Sequence, residues 1–177
     1  MAVRLDVFDA EEGTLLFDED YGLFLLDAIE RARSRVLATQ FLVEMRPDFD
    51  TERHVQFLCR ALAEAAWRGV DVRIVLSRFV ASPGLDINEV AARWLLARGV
   101  PVRAYRPRQG SARKEMHTKL AVIDADLAVV SSQNWTPGAF DANREAAIAV
   151  RSADVAARLA ETFEGLWEVG EDGATAY

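Results

Sequence analysis

The feature that most constrains the fold is a helix–glycine–strand unit that occurs twice in the middle of the chain. The two copies read Trp67-Arg68-Gly69-Val70 and Ala97-Arg98-Gly99-Val100. A glycine is favoured directly after a helix because it readily adopts the left-handed backbone that closes the last turn. Helices that alternate with strands in this way predict an α/β fold, built as layers around a sheet.

Hydrophobic periodicity predicts the other elements. Helical spacing of apolar residues predicts helices over residues 20–32, 51–68, 86–98 and 153–167. Apolar or alternating segments predict strands over residues 3–8, 35–43, 70–76, 100–105, 116–124, 127–133 and 144–150. Residues 11–13 predict a turn, and residues 170–177 predict a frayed tail. No linker divides the chain, so we expect a single domain over residues 1–177.

Charge and cysteine content limit the functional classes. The net charge of −7 argues against a protein that coats nucleic acid without specificity, although it is compatible with a local basic cleft. Cys59 is the only cysteine, which excludes an internal disulfide and favours a reducing compartment. The sequence has neither a signal-peptide pattern nor an apolar run near the roughly 20 residues that a membrane span needs. We therefore expect a cytoplasmic protein without a transmembrane segment.

Residues 116–134 carry the side chains that point to chemistry. Two predicted strands follow each other here too closely for a helix to lie between them. Side chains alternate across a strand, so His117 and Lys119 share one face, and Ser132 and Asn134 share a face of the next strand. An imidazole, an ammonium, a hydroxyl and an amide on one surface would suit a bound anion with a nucleophile beside it.

The length of the connecting loop sets the partners across this hairpin. A two-residue loop at residues 125–126 would place Lys119 opposite Ser132, and His117 opposite Asn134. Moving the loop back by one residue changes the partners but keeps the same face. A lone histidine in a strand is usually structural, but burying a lysine beside it without an anion would be costly. Asp124 falls on the opposite face, at the turn, where we expect it to bind backbone amides or an arginine.

These residues carry a resemblance to a known family. His117-x-Lys119-x-x-x-x-Asp124, followed by Ser131-Ser132-Gln133-Asn134, resembles the HKD motif of the phospholipase D superfamily. The resemblance extends to the helix and strand of residues 20–43, to residues 68–72, to Asn143-Arg144-Glu145 and to the closing helix, and so covers essentially the whole chain. Ser131 stands where the family commonly has glycine. The resemblance implies a mixed β-sheet flanked by helices on both faces, with one HKD motif per chain, as in the family's single-motif bacterial endonucleases.

The same resemblance implies a metal-independent phosphodiesterase that needs no cofactor and acts through a phosphohistidine. His117 would be the nucleophile, Lys119, Ser132 and Asn134 would bind the phosphate, and Glu145 would orient the histidine and hold its tautomer. Membership of the motif also places Asp124 in the catalytic set, although its position at the turn favours a structural role.

The chain contains the motif once, whereas catalytic members of the family need two copies. The other histidine, His54, lacks the following lysine, and we interpret it as a surface or capping residue. A complete site would then lie between two copies of the chain in a homodimer, where the partner's His117 supplies the acid. The alternatives are one half of a longer two-motif protein, and a binding module that is inactive alone.

The sequence leaves the substrate open between nucleic acid and phospholipid. A groove for a nucleic-acid backbone, or a solvated loop, would be formed by Arg103, Arg106, Arg108, Arg113 and Lys114. Trp135 could stack on a base or belong to the core, where we also expect Trp67, Trp94 and Trp167. A lipid hydrolase or phosphatidyltransferase should show exposed apolar residues near the cleft, for which residues 79–85 and 137–140 are candidates. A small single-motif chain without a lipid-binding segment favours a nuclease.

Overall fold

A computed structural model of the chain describes residues 8–45, 53–78, 80–82, 85–106 and 115–177. The described helices are α1 (Glu19–Arg31), α2 (Arg53–Trp67), α3 (Glu89–Leu96), α4 (Pro137–Asp141), α5 (Ala153–Val169) and α6 (Gly173–Ala176). The first strands are β1 (Glu12–Phe17), β2 (Arg35–Gln40), β3 (Asp71–Ser77), β4 (Val80–Ser82) and β5 (Leu85–Asp86). The later strands are β6 (Val102–Tyr105), β7 (Leu120–Ile123), β8 (Leu127–Ser131), β9 (Ala146–Arg151) and β10 (Glu171–Asp172).

The main sheet has eight strands in the order β1-β9-β8-β7-β2-β3-β6-β10. Strands β2, β3 and β6 pair in parallel, and the remaining pairs of this sheet are antiparallel. Strands β4 and β5 pair separately. The sheet is therefore mixed, with a parallel part built from the helix–glycine–strand units and an antiparallel part that contains the motif.

Both faces of the main sheet carry helices. On one face α1, α2 and α3 contribute buried side chains such as Leu25, Leu62 and Leu95 to the larger core. On the other face α5 contributes Phe163, which packs in a second core with apolar residues of β2, β3 and β7 such as Leu37. The prediction of a mixed sheet with helices on both faces is confirmed.

The two glycines of the repeated unit have the backbone that the sequence predicts. Gly69 has φ 89° and Gly99 has φ 78°, both in the left-handed region. The helix before Gly99 begins later than expected, at Glu89. The buried side chain of Asn88 lies directly before it and donates to the carbonyl oxygens of Phe41 and Ser77 at 2.9 and 2.5 Å. Asn88 thereby ties together the ends of β2 and β3.

Several boundaries differ from the sequence prediction. Residues 11–13 were expected to turn, but Glu12–Phe17 forms the edge strand β1 against β9. The tail is not frayed: β10 pairs with β6, and a Cβ at Gly173 would lie 2.6 Å from the carbonyl oxygen of Val102, so the chain packs closely there. The loop before β9 contains α4. The strand predicted over residues 3–8 lies outside the described residues except for Phe8, which is not in a strand.

Candidate active site

Five strand ends lie side by side at one edge of the main sheet. The register pairs Phe17 at the end of β1 with Ala146 at the start of β9. Leu120, at the start of β7, pairs on one side with Thr39 near the end of β2 and on the other with Val130 near the end of β8. The segments directly outside these ends therefore come together. They are residue 18, residue 41, and residues 116–119, 132–134 and 143–145.

His117 and Lys119 lie in the extended segment that leads into β7. The Lys119 Nζ atom is 2.9 Å from the carbonyl oxygen of His117 and 3.2 Å from its Nδ1 atom. The ring of Phe41 packs against both, with 4.4 Å between its centroid and that of the imidazole and 5.3 Å between its centroid and Nζ. Lys119 is 4% exposed, whereas His117 is exposed. The imidazole is thus open to solvent, and the ammonium group in contact with it is buried.

The Lys119 ammonium lacks a close counter-ion among the described residues. Burial lowers the pKa of Lys119, and the negative charge of Glu145 opposes that shift only in part. Among the described residues no carboxylate forms an ion pair with Nζ within 4.0 Å. A buried cation without a paired negative charge is costly unless an anion completes the site. This arrangement favours binding of an anionic group beside His117.

Glu145 connects the second half of the motif to this cation. Its carboxylate accepts hydrogen bonds from the Ser132 hydroxyl and from Asn143 Nδ2, the latter at 3.1 Å. The Ser132 Oγ atom also accepts from the backbone N–H of Ala146 at 3.1 Å. The predicted contact between Glu145 and His117 is not made, because the Glu145 carboxylate is held by Ser132 and Asn143, while Lys119 occupies Nδ1 of the imidazole. Asn143 and Phe41 were not predicted as site residues; their positions directly outside strand ends are the signal that could have found them.

The predicted pairing across the hairpin is wrong by one residue. Ile123 pairs with Leu127, so the loop has three residues instead of two. Lys119 consequently lies opposite Ser131, whose N–H donates to its carbonyl oxygen at 3.0 Å. Residues opposite each other share a face, so this register places Ser131 on the face of Lys119, and the prediction that Ser132 and Asn134 share that face as cross-strand partners is wrong. Ser132 is instead bonded to the Glu145 carboxylate. Asn134 is half-buried three residues after the end of β8, and its Oδ1 atom has no hydrogen-bond partner in the described part of the chain.

Asp124 lies at the turn, far along β7 from His117, and binds the loop between α1 and β2. Its carboxylate accepts from the backbone N–H groups of Arg33, Ser34 and Arg35 and from the Ser34 hydroxyl, at 2.7 to 3.3 Å. Burial alone would raise the pKa of Asp124, but these hydrogen bonds outweigh it and lower the pKa. Asp124 itself adopts φ 53° in the hairpin loop. These contacts agree with the structural role expected from strand parity.

Replacing Asp124 with alanine is expected to lower the free energy of unfolding by about 1–3 kcal/mol, because three backbone N–H groups lose a charged acceptor. The folded-state pKa lies below the ordinary value of 3.8, so this stabilisation is complete above that pH and is lost as the pH falls through the folded-state pKa. Urea unfolding of both proteins between pH 3 and pH 7 measures it. A loss of turnover without a loss of stability would instead give Asp124 a catalytic role.

Several predicted substrate contacts are corrected by the structure. Trp135 is 1% exposed and donates its Nε1 hydrogen to the Tyr21 hydroxyl at 3.1 Å, so it is not available to stack on a base. Arg103 packs over the Trp167 ring at 4.9 Å and donates to the backbone oxygen of Trp167. Arg106 is exposed. Arg108, Arg113 and Lys114 lie outside the described residues.

Of the other aromatic and apolar predictions, some agree with the structure and some do not. Trp94 and Trp167 pack against the two cores, but Trp67 is 90% exposed, contrary to expectation. Residues 137–140 were a candidate lipid-facing loop, yet they lie in α4 and Phe140 is buried against Tyr21 and His54. The candidate at residues 79–85 lies entirely outside the described side chains.

Two general features of the described residues bear on the kind of site. No helix there is long and apolar enough to cross a membrane. No three His, Cys, Asp or Glu side chains of the described chain lie close enough together to hold a metal ion.

Known proteins resemble this chain in sequence and in fold. The mitochondrial cardiolipin hydrolase of Xenopus laevis is 32% identical over 112 residues, which are 63% of this chain and 49% of that protein. Cardiolipin synthase B of Salmonella typhi is 30% identical over 113 residues, which are 62% of this chain and 25% of that protein. The chain thus spans about half of one relative and a quarter of the other.

A solved structure agrees over nearly the whole fold. The phospholipase D family member Nuc from Salmonella typhimurium superposes with a TM-score of 0.70 at 23% identity, covering 91% of this chain and 98% of that one. The family model of the cardiolipin synthase phospholipase D-like domain matches residues 25–167, which include His117, Lys119, Asn134 and Glu145. The chain therefore belongs to the phospholipase D superfamily, whose enzymes act on phosphodiesters.

Proposed function

We propose that the chain hydrolyses phosphodiesters through a covalent phosphohistidine, without a metal ion, at an active site shared by two copies of the chain. The observation that carries this proposal is the exposed imidazole of His117 above the buried ammonium of Lys119, which has no carboxylate within 4.0 Å in the described part of the chain. A phosphate group would supply the missing negative charge and bring its phosphorus atom to the imidazole.

In the first step the Nε2 atom of one His117 attacks the phosphorus atom. A P–N bond forms while the P–O bond to the leaving group breaks, and the leaving oxygen takes a proton from the protonated imidazole of the partner's His117. Attack through Nε2 requires that this atom carry no proton, so the proton must lie on Nδ1. The Lys119 ammonium lies 3.2 Å from Nδ1 here, and the reactive tautomer therefore requires Lys119 to turn from Nδ1 towards the phosphoryl oxygens when the substrate binds. Lys119 from each chain, with Ser132 and Asn134, would stabilise the negative charge that builds up on the phosphoryl oxygens.

In the second step the partner's His117, now neutral, takes a proton from water as the water oxygen attacks phosphorus. A P–O bond forms, the P–N bond breaks, and both imidazoles return to their starting states. The first step needs one neutral and one protonated imidazole in the same site, and the second needs a neutral imidazole beside the phosphorylated one. One chain offers a single candidate, because His54 lies on α2 against Phe140, with 5.0 Å between the two ring centroids. The chemistry therefore needs a second copy of the motif.

An exposed apolar surface beside the site supports a homodimer. Leu15, Ile148 and Val130 face one another across β1, β9 and β8, and their exposed fractions are 68%, 41% and 45%. Phe17, which is 55% exposed, lies two residues further along β1, opposite Ala146. We name these four residues the apolar row. The N–H of Ala146 bonds Ser132, so the row is continuous with the active site, and a second copy placed on it would bring its own motif to this edge.

Replacing Ile148 with glutamate is expected to convert the dimer to a monomer and to remove hydrolytic activity with it, because a charge would be buried in the centre of the apolar row. The matched control is Leu23→Glu, since Leu23 is also exposed, at 59%, but lies on α1 away from the row. Mass measurement by light scattering, with circular dichroism to check the fold, decides this. A dimeric and active Ile148→Glu protein would show that the row is not the interface.

We propose nucleic acid as the substrate class because the segment that precedes the motif is basic. A phospholipid substrate is the second candidate, favoured by the names of the two sequence relatives. One of its two expected apolar loops is not exposed, because Phe140 is buried. The apolar row is compatible with a dimer interface and with a lipid-facing surface, and the mass measurement above distinguishes the two.

Hydrolysis in excess EDTA tests the proposed chemistry. The substrates are an aryl phosphodiester, single- and double-stranded DNA, RNA, and vesicles that contain cardiolipin. We expect hydrolysis of the aryl diester and of a nucleic acid to be the same with and without EDTA. Complete loss in EDTA would contradict the phosphohistidine mechanism, and hydrolysis of cardiolipin alone would make lipid the substrate.

A further inference from the structure

Asp18 has a backbone conformation that is unusual for any residue except glycine. It joins β1 to α1 with φ 51° and ψ −119°. These angles belong to the first central position of a type II′ turn, which glycine dominates because a Cβ atom is strained there. An aspartate at this position persists only when surrounding contacts hold it.

The side chain of Asp18 does not serve its own helix. Aspartate is among the best N-cap residues, and Asp18 stands at the N-cap of α1, yet it makes no capping hydrogen bond. Its Oδ1 atom instead accepts from the backbone N–H of Glu145 at 2.9 Å, and its own N–H donates to the Glu145 carbonyl oxygen at 3.2 Å. The Arg144 guanidinium pairs with the other carboxylate oxygen at 2.5 Å. Asp18 thus bonds both the backbone N–H and the backbone carbonyl oxygen of Glu145.

Glu145 is the residue that most needs such support. It stands directly before β9, outside the paired sheet, where β1 and β9 end together. Its carboxylate accepts from Ser132 and Asn143, and it is the negative charge that most affects Lys119. A shift of the Glu145 backbone would move this carboxylate relative to both halves of the motif.

We propose that Asp18 is a positioning residue of the active site: it holds the Glu145 backbone so that the carboxylate stays between Ser132 and Lys119. This inference rests on the proposed phosphodiesterase function. The hydrogen bonds from the Glu145 backbone and from Arg144 lower the pKa of Asp18, so the carboxylate remains an acceptor throughout the neutral range. The strained turn is retained because glycine, which would fit the backbone better, has no oxygen to offer Glu145.

Two substitutions separate positioning from a general structural role. Asp18→Gly relieves the backbone strain and removes the acceptor, so we expect an unchanged or higher melting temperature with kcat at least tenfold lower and KM within threefold. Asp18→Asn keeps an oxygen that accepts from the Glu145 N–H, and we expect it to restore kcat to within threefold of the wild type. The matched control is Asp126→Asn, because Asp126 also pairs with an arginine, Arg151, but at the opposite end of the sheet.

A measurement on Glu145 itself keeps this inference distinct from the proposed function. In the wild type the Glu145 amide proton should exchange slowly with solvent and resonate downfield, and in Asp18→Gly it should exchange at least tenfold faster. If the amide is unchanged in Asp18→Gly, the inference is wrong whether or not the protein hydrolyses phosphodiesters. It is equally wrong if the amide is released and an active enzyme keeps its full kcat. A wild type that releases no product while its Glu145 amide depends on Asp18 would overturn the proposed function and leave the positioning contact supported.

Discussion

Replacing His117 with asparagine is expected to lower the turnover of a phosphodiester by roughly 10⁴-fold or more, the scale seen when a covalent nucleophile is removed. The imidazole is exposed and contacts the Phe41 ring and the Lys119 Nζ atom, so the substitution should leave the fold intact. Asparagine keeps a polar side chain of similar reach but has no nitrogen that can attack phosphorus. Steady-state hydrolysis of an aryl phosphodiester, corrected for the folded fraction, measures the loss.

His54→Asn is the matched control for this substitution, because His54 is the other histidine of the chain and packs against Phe140 beside α2. We expect His54→Asn to keep turnover within threefold of the wild type below its melting temperature. A phosphohistidine trapped by rapid acid-free quenching should appear in wild type and His54→Asn, and not in His117→Asn. Retention of the adduct in His117→Asn would assign the nucleophile to another residue.

Replacing Lys119 with methionine is expected to lower turnover without lowering the free energy of unfolding. Turnover should fall by about 10²–10³-fold, the usual cost of removing one donor that stabilises a transition-state oxyanion. The free energy of unfolding should stay the same or rise, because Lys119 is 4% exposed and its charge has no ion pair within 4.0 Å among the described residues. Methionine fills a similar volume without a buried charge. Chemical unfolding and kinetics on the same samples test both halves.

The pH dependence of stability provides a second test of the Lys119 environment. Because burial lowers the folded-state pKa of Lys119, the unfolded chain binds the Lys119 proton more tightly. Wild type should therefore gain stability relative to Lys119→Met as the pH rises from the folded-state pKa towards 10.5. Arg60→Met, which removes an exposed cation on α2, should show no such trend. A lower stability of Lys119→Met at neutral pH would mean that the ammonium stabilises the fold.

The elements of the fold were predictable where a pattern repeats. The helix–glycine–strand units, with Gly69 and Gly99 in the left-handed region, followed from spacing alone and fixed the parallel half of the sheet. The tail was missed because its composition is typical of disorder, whereas its order comes from the close packing of Gly173 on Val102. Such a contact joins residues far apart in sequence, so no local pattern carries it.

The candidate site residues were identified from the motif, but their contacts could not be predicted from it. The rule that side chains alternate between two faces applies within a strand. Most of the motif residues lie outside the strands, because β7 begins at Leu120 and β8 ends at Ser131. One additional loop residue at Asp124, which takes a left-handed backbone there, then changes every cross-strand partner. Burial of Trp135 against Tyr21 and support of Glu145 by Asp18 depend on α1, which is distant in sequence and was outside the motif.

The shared active site is tested most directly with heterodimers of wild type and His117→Asn. The two proteins carry different affinity tags, are unfolded and refolded together, and the doubly tagged species is isolated and assayed. A site that needs both imidazoles predicts that this heterodimer has below about 1% of wild-type activity, since each step would lack either its nucleophile or its acid. A heterodimer that retains half of the wild-type activity would show that each chain carries a complete active site, and would contradict the account.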